Sequence, residues 1–141
     1  MLIAQPTAAE FYELVERLNS LDALKCFGAK VSVPRENEAT VAIDHIKDFH
    51  LGGIESRVVN GMILMGLLDC AMCTAALTRL AGQRGATVDI SIQFIKPVIS
   101  ESVTAFGKVV SRSRDLLFCE AWVVDARGRP RVEAKGLVQA I

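Results

Sequence analysis

The spacing of hydrophobic and polar positions changes along the chain, and each change predicts a boundary between elements. Near the N-terminus, Thr7 and Glu10 stand at the ends of TAAE, a capping box that predicts the first turn of a helix. Apolar residues then recur every three or four positions, so the helix is expected to continue to about Leu24. Alternating apolar and polar residues across 29–45 predict two short strands joined by a polar turn.

The second half of the pattern is dominated by one long apolar segment. It predicts a helix from about Asn60 to Leu80, ended by the glycines of AGQRGA. Alternation then resumes and predicts four strands, at 87–94, 103–112, 116–125 and 131–140. The order α-β-β-α-β-β-β-β favours an α+β fold of one domain, residues 1–141, in which an antiparallel sheet wraps around the apolar helix. Because such a sheet has open edges, a second copy of the chain is the expected partner.

Composition and charge narrow the classes of function. Sixteen basic residues balance sixteen acidic ones, and the sequence shows no basic stripe of the kind that binds nucleic acid. We therefore expect no nucleic-acid partner. The first residues lack the basic head and cleavage site of a signal peptide, and we expect a cytoplasmic protein with reduced cysteines. The apolar helix is not expected to span a membrane, because Asp69 near its middle would be costly there.

Asp69 is the chemically unusual residue of this helix. Helical spacing places Gly66, Cys73 and Ala76 on its face, and these small residues are expected to leave space beside the carboxylate. An apolar setting raises the pKa of a carboxylate, which suits it to act as a base. Arg79 would lie about 15 Å along the helix, too far for an ion pair, so Asp69 is expected to be buried and unpaired. A structural ion pair is the alternative.

The residues Asn60 and Gly61 precede the apolar run. A helix N-terminus offers free N–H groups and partial positive charge, which suit an oxyanion or a carbonyl oxygen. Glycine at that point allows close approach of a ligand. Asn60 can equally serve as an N-cap, and the two roles are compatible.

Two further groupings give weaker signals. Cys70 and Cys73 form a CxxC inside the helix rather than at its N-terminus, which favours packing over redox chemistry, and no second CxxC completes a zinc site. His45 and His50 lie among aspartates in DHIKDFH, where a solvated loop is favoured over a metal site. We therefore predict no metal and no cofactor, and we place His50 near the entrance to the site.

Three stretches of the sequence resemble the PaaI-like branch of the hotdog-fold acyl-CoA thioesterases. NGMILMGLLDCAMCTAAL, residues 60–77, resembles HGGxxxxLxDxAxxxAA, and TVDISIQFIKPV, residues 87–98, resembles T..l.i.FlrPv. Residues 107–136 resemble the ending of the same family, G.vv.r.r...f.ea.v.d..G..vA.a.G. The resemblance extends over roughly 52–141 and implies the hotdog fold and hydrolysis of an acyl-CoA to free acid and CoA.

The resemblance also implies roles for residues. Asp69 matches the catalytic base or nucleophile of these enzymes, and Gly61 matches the glycine whose N–H polarises the thioester carbonyl. Asn60 stands where many members have histidine, and Met62 replaces the second glycine. Cys73 lies one turn beyond Asp69, where some relatives use a hydroxyl. In such enzymes the two halves of the site come from opposite subunits, which predicts a homodimer or a dimer of dimers.

The substrate and the competing functions follow from the same comparison. The apolar lining is expected from Met62, Leu64, Met65 and Leu68, and the CoA phosphates are expected at Lys96, Arg112 and Arg114. This lining predicts medium-chain or aromatic acyl groups. A non-catalytic acyl-CoA-binding hotdog protein remains the alternative. A hotdog dehydratase or hydratase would need a histidine in the site, and the sequence has none in or next to the helix.

Overall fold

The structure, a computed structural model, describes residues 7–54 and 56–141. Its helices are α1 (Ala8–Asn19), α2 (Asp22–Phe27) and α3 (Gly61–Leu77). Its strands are β1 (Ala29–Arg35), β2 (Glu38–Ile43), β3 (Leu51–Gly52), β4 (Val58–Val59), β5 (Gly85–Phe94), β6 (Val103–Ser113), β7 (Leu116–Val124) and β8 (Pro130–Ala140). A 3-10 turn covers Asp48–His50. The expectation about a signal peptide rests partly on residues 1–6, which lie outside the described residues.

The main sheet confirms the predicted α+β architecture. Its six strands run in the order β1-β2-β6-β7-β8-β5, and every neighbouring pair is antiparallel. Helix α3 packs across this sheet and contacts β1, β2 and β5 to β8. The remaining strands, β3 and β4, form a two-residue antiparallel pair just before α3.

The core lies between α3 and the sheet. Leu67, Leu68, Ala71 and Met72 on the helix are at most 1% exposed. Gly107 of β6 allows the close approach, because a Cβ atom there would lie 2.2 Å from the carbonyl oxygen of Ala71. The backbone of the helix therefore rests directly on the sheet. None of the helices within the described residues has the length and apolar character needed to cross a membrane.

The N-terminal helix differs from its prediction. The capping box of Thr7 and Glu10 is present, but α1 ends at Asn19 instead of continuing to Leu24. The side-chain amide of Asn19 donates to the carbonyl oxygen of Val31 at 3.0 Å and accepts from its N–H at 2.8 Å. This pairing ties the end of α1 to β1, and the chain turns there before α2 begins.

The same contact distinguishes the two edges of the sheet. On β1, Asn19 satisfies the outward backbone groups of Val31. On β5, no strand within the described residues pairs with the outer edge. Val88 and Phe94 of this strand are each about half exposed, at 52% and 51%. The open edge of β5 is therefore the place where another strand can add.

Candidate active site

One stripe of α3 is not covered by the rest of the chain. It contains Met62, Met65, Asp69 and Cys73, spaced three and four residues apart. Met62 is 71% exposed and Met65 is 45% exposed, whereas the opposite face of the helix is buried. Strand β5 runs beside this stripe, since its Thr87 contacts Asp69 and its Phe94 lies near Gly61. The open stripe and the open edge of β5 thus form one surface.

Asp69 is partly buried and has a hydrogen-bond partner. The hydroxyl of Thr87 donates to its Oδ1 at 2.6 Å. The carboxylate is thus less buried than expected and accepts a hydrogen bond from a neutral hydroxyl, but no salt bridge to it is present within the described residues. The exclusion of Arg79 is confirmed, because Arg79 pairs with Glu36 at 3.3 Å.

Thr87 is the functional residue that the sequence reasoning missed. Alternation along 87–94 groups it with Asp89, Ser91 and Gln93 on the polar face, away from the helix. A β-bulge between Thr87 and Asp89 breaks that alternation, and in the structure Thr87 faces Asp69. The sequence feature that could have identified it is its place as the first residue of 87–98, the stretch that resembles the family pattern T..l.i.FlrPv. A hydroxyl that donates to one carboxylate oxygen leaves the other oxygen free to accept a proton and fixes the orientation of the group.

The two thiols beside Asp69 are protonated at neutral pH. Burial, followed by the negative charge of Asp69 and the neighbouring Cys70, raises the pKa of the Cys73 thiol to about 11. Burial and, to a smaller extent, Asp69 also raise the pKa of Cys70, although a hydrogen bond with Thr74 opposes them. Both cysteines are free. A raised pKa disfavours the thiolate that redox exchange requires, so the pair behaves as lining of the stripe.

The N-terminus of α3 presents a free donor. The Asn60 side chain caps the helix by accepting from the N–H of Met62 at 2.8 Å. The N–H of Gly61 has no hydrogen-bond partner within residues 7–54 and 56–141. The ring of Phe94 lies 3.7 Å from the position of a Cβ atom on Gly61. This arrangement leaves one oriented donor beside an apolar ring, which suits a carbonyl oxygen.

His50 does not line an entrance, and that expectation was wrong. Its side chain is 1% exposed. Nδ1 accepts from the N–H of Lys47 at 2.9 Å, and Nε2 lies 2.6 Å from the carbonyl oxygen of Phe27. With both ring nitrogens occupied in the interior, His50 cannot contact a substrate.

The space expected beside Asp69 is also filled. The Phe27 ring from α2 packs against Gly66, where a Cβ atom would lie 3.0 Å from Cε2 of that ring. Ala76 is 0% exposed in the core. The glycine in the helix interior therefore admits a side chain of the same chain rather than a ligand.

The three candidate phosphate ligands are not brought together within one chain. Lys96 is exposed near the N-terminus of α3, after β5. Arg112 lies at the other end of the helix, where its guanidinium donates to the carbonyl oxygens of Arg79 and Arg114, each at 2.9 Å. Arg114 is exposed in the turn after β6. Arg112 is thus already engaged, whereas Lys96 and Arg114 project from the surface.

A groove of about 240 Å³ adjoins the N-terminus of α3. Its lining is mainly apolar and includes Leu64, Phe94, Ile95, Lys96 and Val98. Leu64 therefore lines the groove as expected, although little of its side chain is exposed. Leu68 does not, because it is 0% exposed under the sheet, and its assignment to the lining was wrong.

A larger hollow, of about 460 Å³, lies elsewhere. It opens on the outer face of β5, β7 and β8 and is lined by polar residues around Trp122. None of the candidate residues lines it, and α3 does not reach it. Its size alone therefore does not make it the site. Among the described residues, no group of three or more histidine, cysteine, aspartate or glutamate side chains is placed to hold a metal ion.

The arrangement offers a partly buried carboxylate and an unpaired backbone donor on one helix. A base or nucleophile and an oxyanion donor are the two groups that acyl transfer to water requires. Gly61 lies next to Phe94, which lines the apolar groove, and Asp69 shares its stripe of α3 with the exposed Met62 and Met65. The chemistry thus suits hydrolysis of a carbonyl compound with an apolar acyl group.

Comparison with known proteins agrees with this geometry. No curated protein sequence matches the chain. Among solved structures, the PaaI protein of Escherichia coli, from the phenylacetic acid degradation operon, superposes with a TM-score of 0.83 at 18% identity, over 96% of each chain. A thioesterase from Haemophilus influenzae superposes with a TM-score of 0.81 at 18% identity, over 100% of this chain and 95% of that one. These likenesses confirm the hotdog fold.

Family membership rests on the sequence itself. The model of the thioesterase superfamily matches residues 57–131, more than half of the chain. The matched region contains α3, β5, β6 and β7, and with them Gly61, Asp69 and Thr87. The chain belongs to the thioesterase superfamily.

Proposed function

We propose that this protein is an acyl-CoA thioesterase that hydrolyses medium-chain or aromatic acyl-CoA to the free acid and CoA. Asp69 acts as base or nucleophile, and the N–H of Gly61 holds the oxyanion. Two groups on the same helix carry the proposal: a carboxylate oriented by Thr87 at 2.6 Å, and the N–H of Gly61 at the helix start, which has no partner among the residues that the structure describes.

The Gly61 N–H and the Asp69 carboxylate of one chain are too far apart to act on the same substrate molecule. Gly61 and Asp69 are eight residues apart on α3, which corresponds to about 12 Å along the helix. A base and an oxyanion donor must each lie about 3 Å from the same reacting carbonyl group or its attacking water. One chain therefore cannot supply both to one thioester.

A second copy added at β5 supplies the missing half. Antiparallel pairing of two β5 edges is two-fold symmetric and extends the sheet. Because the open stripe of α3 lies beside β5, the same operation brings the second α3 alongside the first, in the opposite direction. Asp69 of one chain then approaches Gly61 of the other. This geometry supports a homodimer with two sites, each built from both chains; a dimer of dimers preserves them.

The reaction follows from these positions. The thioester carbonyl oxygen accepts from the N–H of Gly61, and the helix N-terminus stabilises the negative charge that develops on it. If Asp69 is the base, it takes a proton from water as the C–O bond forms, and the proton passes to the sulfur when the C–S bond breaks. If Asp69 is the nucleophile, its attack breaks the C–S bond, CoA leaves as the thiolate, and water hydrolyses the resulting acyl anhydride to the free acid and the Asp69 carboxylate, with the released proton passing to the thiolate.

The acyl group is assigned from the lining. The groove beside Gly61 is mainly apolar, and exposed Met62 and Met65 add flexible apolar surface that adapts to different shapes. An acetyl group would leave most of this surface unused. The fold is shared with a protein of a phenylacetic acid degradation operon, which makes arylacetyl-CoA a natural member of the test panel. Lys96 and Arg114 are the remaining candidates for the CoA phosphates.

The proposal is tested first by release of free thiol from a panel of acetyl-, medium-chain, long-chain and aromatic acyl-CoA. We expect kcat/KM to be highest for medium-chain or aromatic substrates. Turnover that is highest for acetyl-CoA would overturn the assigned acyl class. Tight binding of acyl-CoA without turnover would favour the non-catalytic alternative.

Subunit complementation tests the shared site. Gly61→Pro removes the N–H while keeping the helix, because proline suits the first helical position and Asn60 has an extended backbone, with φ −60° and ψ 136°. Gly61→Ala is the matched control, since it keeps the N–H and its Cβ atom would meet Phe94 at an ordinary 3.7 Å. Asp69→Asn removes the carboxylate of the other half.

Gly61→Pro and Asp69→Asn are each expected to be inactive alone, and a mixture of the two proteins is expected to regain activity. Half of the randomly mixed dimers are heterodimers with one intact site, so activity should return to about a quarter of the wild-type value. If both groups acted from the same chain, no mixed dimer would contain an intact site. No recovery on mixing, with heterodimers shown by mass spectrometry, contradicts the shared site.

A further inference from the structure

The interior position of His50 gives it contacts with three separate segments. The ring reaches the end of α2 through the carbonyl oxygen of Phe27, at 2.6 Å, and its own turn through the N–H of Lys47, at 2.9 Å. The backbone carbonyl of His50 accepts from the N–H of Asn60 at 2.8 Å. Asn60 is the N-cap of α3 and the neighbour of Gly61.

These contacts fix the form of the ring. A backbone carbonyl only accepts, so Nε2 must donate to Phe27; a backbone N–H only donates, so Nδ1 must accept from Lys47. The ring is therefore neutral with its proton on Nε2, and no polar atom of it is left over. His50 is nearly inaccessible, at 1% exposure, and this excludes direct contact with a substrate.

The segments joined by His50 hold α3 at two points. At the first, the His50 carbonyl holds Asn60, while a Cβ atom on Gly52 would lie 3.0 Å from Asn60, so the cap is tightly enclosed. At the second, the ring of Phe27 lies against Gly66, three residues before Asp69. His50 thus connects Phe27, whose ring packs against Gly66, with Asn60, the N-cap that precedes Gly61.

We propose that His50 is a positioning residue for the oxyanion-binding end of α3. It acts through Asn60 and Phe27 and sets the direction of the Gly61 N–H. This inference rests on the proposed function for its effect on turnover, but its effect on α3 is independent of any reaction. A misplacement of about 1 Å in such a donor can cost up to 10²-fold in rate.

Three substitutions of His50 separate its contacts. His50→Ala removes both ring contacts. His50→Gln retains an N–H that can reach the Phe27 carbonyl, and His50→Asn retains only an acceptor near Lys47. The matched control is Thr78→Val, because Thr78 is also buried, at 1% exposure, and also joins α3 to a neighbouring turn, but at the opposite end of the helix.

For His50→Ala we expect kcat to fall by about tenfold or more while KM changes by less than about threefold, because the groove is intact and the donor is misplaced. His50→Gln should recover part of the loss. Thr78→Val should melt at a lower temperature and keep its kcat. Wild-type kcat in folded His50→Ala, or an equal loss in Thr78→Val at the same distance below its melting temperature, would overturn the proposal.

Hydrogen exchange gives a second readout that needs no substrate. Exchange of the amides of residues 60–64 should accelerate in His50→Ala and stay unchanged in Thr78→Val. Unchanged exchange there in His50→Ala would also overturn the proposal. If wild-type protein hydrolyses no acyl-CoA, the proposed function fails, and hydrogen exchange still decides whether His50 positions the start of α3.

Discussion

The two ends of α3 are built in opposite ways. At the C-terminal end, the cap residue Thr78 joins the helix to a neighbouring turn: its Oγ1 donates to the carbonyl of Ala75 at 2.7 Å and accepts from the N–H of Asn37 at 2.8 Å. Arg112 donates to the carbonyl of Arg79. At the N-terminal end, Asn60 caps one N–H, and the N–H of Gly61 has no partner within the described residues.

This difference divides the helix into an anchored end and a reactive end. Arg112 donates to the carbonyl oxygen of Arg79, two residues beyond the end of α3, and a cation near a helix C-terminus is also favoured by the helix dipole. No acidic residue lies in the first turn of α3, so its partial positive charge is not offset by a side chain of that turn. Substitutions at the N-terminal half should therefore change rates, and those at the C-terminal end should change stability.

The largest effect is expected from Asp69→Asn. Loss of the charge should lower kcat by about 10²-fold or more, the scale for losing a positioned base or nucleophile. Asparagine keeps an oxygen that accepts from Thr87, and desolvation of a charge is removed, so the melting temperature should stay the same or rise. A lowered melting temperature with intact kcat would show instead that Asp69 is structural.

A smaller effect is expected from Thr87→Val, which keeps the shape and removes the hydroxyl that orients Asp69. We expect kcat to fall by about tenfold, as is usual when a partner that orients a functional side chain is lost. Thr87→Ser keeps the donor and should retain most of the rate. Equal rates in the valine and serine variants would contradict an orienting role for the hydroxyl.

At the anchored end, Arg112→Gln should reduce stability by about 1 kcal/mol and leave kcat and KM unchanged, since it removes the hydrogen bonds to the carbonyl oxygens of Arg79, two residues beyond α3, and of Arg114. Lys96→Gln is the comparison at the other end and should raise KM for acyl-CoA. The measurements are denaturant unfolding and steady-state kinetics. A raised KM in Arg112→Gln without loss of stability would indicate instead that Arg112 binds the CoA phosphates, as the sequence predicts.

The smallest expected effect uses Cys73 as a reporter of the charge on Asp69. Burial, followed by the charge of Asp69, raises the pKa of Cys73 to about 11, so alkylation by iodoacetamide should be slow at pH 7 and accelerate up to that pH. Asp69→Asn removes one cause of the raised pKa and should speed alkylation at pH 9. Peptide mass spectrometry follows the modification, and an unchanged rate would show that the two groups are not coupled.

Features that depend on local spacing follow from the sequence alone. The order of the long elements follows from the hydrophobic period, apart from the break at the end of α1, where the Asn19 side chain meets β1. The two-residue strands β3 and β4 were not predicted, because they are too short to show an alternating pattern. The relative placement of Gly61 and Asp69 also follows, because eight residues of one helix have a fixed geometry. The resemblance of 60–77 to its family then gave both residues a predicted role.

Contacts between distant residues around α3 depend on the tertiary packing. Packing places Thr87 on Asp69, Phe27 against Gly66 and Arg112 on the carbonyl oxygen of Arg79 just beyond the helix, and it buries His50. A periodic pattern assigns a side chain to a face, but the partner across that face depends on strand order, bulges and loop paths. The β-bulge next to Thr87 is one such feature. These contacts join residues far apart in the chain, so their geometry is set by packing of the whole sheet on the helix and not by local sequence.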